Sequence, residues 1–234
     1  MVSSSYASFA GTSIRSDALF FEVLDISLAE LDTKKPMKVS WISEGVTKEE
    51  PLDILVPKTG TVDDIVSSVI KKAQLEDEEK GGPIRVYETH SNKIHRELSR
   101  GHLIKDLTDY IQIILERIPE EELAQPNGSQ YIHAFHFHSD PTKAHSVPFK
   151  FLIFQDEIFS DTKKRLEKRT GIKGKNLEKI KFAIVKRSSY TKPIYLNDDD
   201  TLWDMLGDDD DQLGLDHIDK IRNTRTGMGD LFLK

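Results

Sequence analysis

The stretch Pro148–Arg187, PFKFLIFQDEIFSDTKKRLEKRTGIKGKNLEKIKFAIVKR, reads as strand, helix, strand with almost no connecting slack. Phe149, Phe151 and Ile153 alternate with Lys150, Leu152 and Phe154, a period of two that suits a pleated strand buried on one face and partly covered on the other. Beyond Gln155-Asp156-Glu157 the pattern becomes helical. Ser160 stands where a cap would. Asp161 in the first turn and Lys168 and Arg169 in the last complement the helix dipole, and Gly171 ends the segment, which predicts a helix over 161–170. Ile158, Phe159, Thr162, Leu166 and Ile172 are the candidates for its inner face. Ile180, Phe182 and Ile184 then restore the two-residue period in a return strand.

Strand, helix and return strand fit a ferredoxin-like or a β-grasp arrangement, and their order alone does not choose. Upstream, Tyr131, His133, Phe135 and Phe137 form an earlier strand, separated from Phe149 by the polar turn Ser139-Asp140-Pro141-Thr142. Hairpin, helix, strand is the opening of a ubiquitin-like fold.

The same order occurs earlier. Met37, Val39 and Trp41 alternate, the turn Ser43-Glu44-Gly45 follows, and Leu52, Ile54 and Val56 return. Thr61 caps a helix predicted over 62–73, with Val62, Ile65, Val66, Val69 and Ile70 on one face and Asp63 and Asp64 in its first turn. Gly81-Gly82-Pro83 breaks the chain before Ile84 and Val86; shorter pieces around Ile94, Leu98, Ile104 and Leu107 lead to a last strand, Tyr110–Leu115. The chain therefore repeats an architecture at a period of about 100 residues. The expected class is α+β, two tandem β-grasp domains: a flexible Ser-rich segment 1–17, a first domain 18–118, an acidic and turn-rich linker 119–129, a second domain 130–220 and a tail 221–234.

Composition narrows the chemistry. The 234 residues include no cysteine, which removes disulfides, thiolate metal sites and a thiol nucleophile. A net charge of -7 with no long basic block disfavours nucleic acid, and no apolar run reaches the length of a membrane span. Paired acid-base groups and an activated nucleophile are missing, so the chain itself is not expected to be an enzyme, and no cofactor is expected.

The run Leu19–Ile26 (LFFEVLDI) with Leu28-Ala29-Glu30-Leu31, the helix start Thr61-Val62-Asp63-Asp64-Ile65, Arg117-Ile118-Pro119-Glu120-Glu121-Glu122, Lys181-Phe182-Ala183 and Leu213-Gly214-Leu215-Asp216-His217 together resemble the C-terminal region of the herpesvirus-associated ubiquitin-specific protease and its fungal and plant relatives. In that family a catalytic cysteine-protease domain precedes several ubiquitin-like domains. The resemblance covers roughly Leu19 to Lys220, the last two of those domains. It implies a regulatory region, intracellular in the nucleus or cytoplasm, that binds and activates the catalytic domain of its own deubiquitinase. An adaptor that recruits substrates is the alternative.

Candidate sites follow. His136 and His138, two apart on a strand, with His145 and Asp140 nearby, raise a metal site. A solvent-facing strand surface with Phe135 and Phe137 turned inward is the simpler reading, and no metal is expected. Asp198-Asp199-Asp200 and Asp208–Asp211 lack calcium-loop spacing and read as solvated turns. Lys163, Lys164, Arg165, Lys168, Arg169, Lys173 and Lys175 form a basic face that would dock an acidic partner, with Lys164, Arg165 and Lys168 at its centre. Gly81-Gly82 reads as a helix-to-strand turn. Alternation turns Ile84 and Val86 inward and Arg85 and Tyr87 outward, so the aliphatic sheet patch through which ubiquitin is gripped is not evident. The tail is polar and glycine-rich until Leu231-Phe232-Leu233. In the family it resembles, a C-terminal peptide with alternating aliphatic residues binds the catalytic domain, which makes Leu231, Phe232 and Leu233 candidate contacts.

Overall fold

The structure, a computed structural model, describes residues 27–43, 45–46, 48–108, 110–186 and 192–218. The run Leu19–Ile26 and the tail residues Leu231, Phe232 and Leu233 lie outside them. The chain divides into two compact units, Met1–Asp32 and Thr33–Lys234. The described part of the first is helical, in α1 (Leu28–Thr33).

The second unit holds two five-stranded sheets. The first is built from β1 (Lys34–Ser43), β2 (Lys48–Pro57), β3 (Ile84–His90), β4 (Lys93–Leu98) and β5 (Gln112–Arg117), with α2 (Val62–Lys72) across it and a short α3 (Glu78–Gly81) before β3. After a helical turn, α4 (Glu120–Leu123), the second follows: β6 (Ser129–His138), β7 (Asp140–Phe154), α5 (Phe159–Thr170), β8 (Lys181–Lys186), β9 (Ile194–Tyr195), α6 (Leu202–Met205) and β10 (Asp211–Asp216). The strand orders are β2-β1-β5-β3-β4 and β7-β6-β10-β8-β9, the same arrangement twice. In each sheet the opening hairpin is antiparallel and the last strand runs parallel to the first, Val39 opposite Ile113 and Phe135 opposite Gly214.

The helix starts repeat as well. Thr61 bridges Leu103, and the N–H groups of Val62 and Asp63 donate to the carbonyls of His102 and Arg100. Ile158 likewise bridges Thr201, while Phe159 and Ser160 donate to the carbonyls of Asp200 and Asp198. The first N–H groups of a helix lack partners within the helix, so in both sheets a later loop supplies them. At the first start, the Asp64 carboxylate also accepts the Thr61 N–H. At the second, the sequence reading needs correction. The helix starts at Phe159 behind Ile158, and Ser160 lies within its first turn, because loop carbonyls do the work assigned to a hydroxyl.

Val62, Ile65, Val66 and Val69 of α2 pack on Val39, Trp41, Ile54, Val86 and Leu115. Phe159 and Leu166 of α5 pack on Phe149, Phe151, Ile153, Phe182, Ile184 and Leu213. Val69 and Leu166 have no solvent exposure. Ile158 is 45% exposed, not on the inner face, and Tyr110, 96% exposed, precedes the last strand of its sheet, which begins at Gln112.

Strand β6 also departs from expectation. Ile132 and Ala134 face the α5 side, while Phe135 and Phe137 occupy the opposite face with Val185. Both parities of this strand are apolar, and the face opposite the helix is covered by the first sheet, so either set can be buried. Gly214 makes room for Phe137: a Cβ there would lie 2.6 Å from the Phe137 ring and 2.9 Å from Val185.

Candidate functional site

The two sheets meet through the face of the first that α2 does not cover. Ile42, Tyr87, Ile94 and Ile114 cluster there with Val147 of β7. Lys93 stands over the Phe135 ring at 4.0 Å, Asn92 donates to the Ala144 carbonyl, and Lys150 pairs with Glu97 at 2.6 Å. Arg85 and Tyr87 do leave the α2 side, as alternation requires, yet both are buried.

A charged quartet joins this seam. Arg85 donates to Glu116 at 2.8 Å and to Glu122 of α4 at 2.5 Å, and Arg169 of α5 donates to Glu116 at 2.5 Å. Tyr87 adds a hydroxyl donor to Glu116 at 2.7 Å. Burial alone would push the Glu116 carboxyl up, but Arg169 and Arg85 hold it below the usual carboxylate range. Glu122 has Arg85 close but Arg169 only at 3.8 Å, and burial keeps its pKa raised. Two guanidinium groups and two carboxylates leave no uncompensated charge, the condition for burying ions at all. Glu122 falls in the stretch read as a linker.

Next to the quartet lies a cleft of about 690 Å³ whose walls include Ile42, Pro119, Phe154, Arg165 and Lys168. Here the basic face of the sequence reading comes into view, largely neutralised. Arg165 makes a two-pronged pair with Glu157 at 2.8 and 2.5 Å, donates to the Leu152 carbonyl and stacks over Phe154 at 4.2 Å. It clamps α5 to β7. Lys164 is exposed and paired with Asp161, whose hydrogen bond raises its pKa; Lys163 pairs with Asp198, and exposed Lys168 with Glu121. Of the three central residues, Lys164 and Lys168 project to solvent, whereas Arg165 is tied into the fold. Lys179 and Lys181, which the reading passed over, lie with Lys173 around a second pocket. Their signal was there in the spacing of lysines from Lys173 to Lys181 beyond the end of the helix.

The histidines separate. His136 is 4% exposed, its Nδ1 2.8 Å from Nε2 of His217, with the His145 ring 6.0 Å away. His145 Nε2 lies 3.0 Å from the His217 carbonyl oxygen. His138, beyond a register shift, turns to Asp216 at 3.8 Å. The strand surface read as solvent-facing is therefore buried at His136 and His145. Among the described residues no three His, Cys, Asp or Glu side chains are grouped so as to hold a metal ion. The acidic runs act as turns: Asp200 accepts the Asn197 N–H, and buried Asp211 accepts those of Gly207 and Asp208.

Two five-stranded sheets of one strand order, joined by a buried charged quartet, define a duplicated mixed α/β scaffold. The chain belongs to the ubiquitin-specific protease C-terminal family, whose model matches residues 18–222. It is 36% identical over 202 residues to ubiquitin carboxyl-terminal hydrolase 15 of Schizosaccharomyces pombe, covering 85% of this chain and 18% of that protein. Over 218 residues it is 32% identical to ubiquitin C-terminal hydrolase 13 of Arabidopsis thaliana, 87% of this chain and 19% of that one. Ubiquitin carboxyl-terminal hydrolase 7 of Drosophila melanogaster is 23% identical over 178 residues, covering 71% of this chain and 16% of that protein. The chain thus spans less than a fifth of the length of these relatives.

Proposed function

We propose that this chain is the non-catalytic regulatory region of a deubiquitinating protease: two tandem β-grasp domains that bind the catalytic domain of the same enzyme and raise its turnover. The observation that carries the reading is the duplicated strand order, with its duplicated helix-start clamp, in a chain that matches a C-terminal family of ubiquitin-specific proteases. The lack of cysteine in all 234 residues fits a region that contributes no thiol chemistry of its own. The seam supports it further, since a regulator that transmits force between two surfaces must hold them in fixed register. Contacts with the catalytic domain fall to the tail, through Leu231, Phe232 and Leu233, and to the solvent-facing Lys164 and Lys168 beside Arg165.

The test is turnover of a fluorogenic ubiquitin substrate by the catalytic domain of the parent enzyme. The chain alone gives background signal. Added to the catalytic domain it raises turnover, and Leu231→Ala with Leu233→Ala abolishes most of that gain. Equal activation by intact and doubly substituted chains removes the tail from the mechanism; no activation by either rejects the regulatory reading.

A further inference from the structure

We infer that the pocket at the C-terminal end of α5 is a docking site for an acidic peptide segment carrying a large apolar side chain. After Gly171 the chain runs through Ile172, Lys173 and Asn176 to Ile180 and Lys181, and this loop faces the end of β10 and the turn joining β6 to β7. Between them is a pocket of about 870 Å³. Its apolar lining includes Ile172, Ile180 and Ile218, the last 56% exposed. Its cations are Lys173, Lys179 and Lys181, all exposed.

These lysines differ from those of α5. Lys163, Lys164, Arg165, Lys168 and Arg169 each have a carboxylate partner, whereas Lys173, Lys179 and Lys181 have none within ion-pair distance among the described residues. Lys181 has only the Tyr195 ring, at 6.0 Å. Among the described residues of the pocket wall the one carboxylate, Asp216, is already engaged by the Ser139 N–H at 2.9 Å and the Tyr195 hydroxyl at 2.8 Å, with His138 at 3.8 Å. Three ammonium groups with no carboxylate partner among the described residues, set around an aliphatic lining, are therefore a local concentration of positive charge in a chain of net charge -7.

Charge complementarity selects the occupant. Carboxylates on the rim would meet the lysines in a geometry that helps encounter and orientation, and an apolar side chain between them would cover Ile218 and Ile172. Nucleic acid fits less well: the lysines ring one concave pocket with an aliphatic lining, with no track of cations along a backbone and an overall charge that repels phosphate.

The full chain is titrated into a fluorescein-labelled peptide in which Asp and Glu residues flank a Leu-Phe pair, and anisotropy is followed at low and high salt. Binding is expected, weakening as salt rises. Lys173→Glu, Lys179→Glu and Lys181→Glu together should weaken it by about tenfold or more, and Ile218→Asp severalfold, with thermal melts confirming that both variants remain folded. Absence of binding, or equal binding by the triple variant, overturns the proposal. So does equal binding of a peptide whose Leu-Phe pair is replaced by Gly-Ser, which reduces the surface to unspecific charge, or tighter binding of a single-stranded oligonucleotide, which assigns it to another class of partner.

Discussion

Replacing His136 with Gln should remove a defined part of the acid sensitivity of this fold. His136 lies on β6 opposite His145 of β7 and Leu215 of β10, against the Phe149 ring at 5.9 Å and hydrogen-bonded to His217. Burial, then the neighbouring His217 and His145, lower its pKa from 6.5 to about 3. The imidazole is therefore neutral in the fold, while the unfolded chain takes up a proton at about pH 6.5. The unfolded state binds more protons between these two values, so stability is fully present above about pH 6.5 and is lost as pH falls toward 3. Each pH unit inside that window costs about 1.4 kcal/mol, so near pH 5 the loss from this one group is about 2 kcal/mol. The assay is urea unfolding of the wild type and His136→Gln near pH 7 and near pH 5. Carboxylates contribute to both proteins alike and cancel in the difference. The wild type should lose about 2 kcal/mol more than the variant across that interval. Equal losses would show that His136 titrates alike in both states and refute its burial beside Phe149.

Two further substitutions probe the packing. Glu116→Ala leaves Arg85 and Arg169 buried with only Glu122 between them, and should cost about 3 to 5 kcal/mol in urea unfolding; a cost near that of an exposed pair would mean that water reaches the quartet. Gly214→Ala puts a methyl group 2.6 Å from the Phe137 ring and should cost about 1 to 3 kcal/mol, read as a lowered melting temperature; an unchanged melt would mean that the ring can move aside.

What the sequence exposed and what it hid divide along physical lines. Residues whose partners are near in the chain were legible: the two-residue periods of β1, β2 and β7, the face of α2 and the end of α5 at Gly171 all follow from local alternation and propensity. Partners distant in the chain were not. The start of α5 is stabilised by carbonyls about 40 residues later, and a backbone acceptor leaves no mark on residue identity. In β6 alternation marks the strand and the burial of Phe135 and Phe137, but it does not reveal that the other parity is buried too, because the cover over Phe135 comes from Lys93 on β4, distant in the chain. The basic face shows the same limit. Only the Lys164–Asp161 pair, three residues apart, could be anticipated, whereas Arg169 finds Glu116 and Glu122 about 50 residues upstream.

That hidden pairing also explains the missing ubiquitin-like patch. The first sheet does carry an apolar surface away from its helix, Ile42, Tyr87, Ile94 and Ile114, but Val147 and the second sheet cover it. A partner could grip this surface only by separating the sheets, which would break the Lys150–Glu97 pair and part Arg169 from Glu116. Parting such a pair into water restores the hydration of both charges, so the main cost of opening is the aliphatic area it would expose. A partner must therefore either supply that energy or bind elsewhere. The surfaces that need no such opening are the solvent-facing side of α5 at Lys164 and Lys168 and the lysine-rimmed pocket beyond Gly171. Both belong to the second sheet and its helix, so recognition by this region is expected to be asymmetric although the architecture is duplicated.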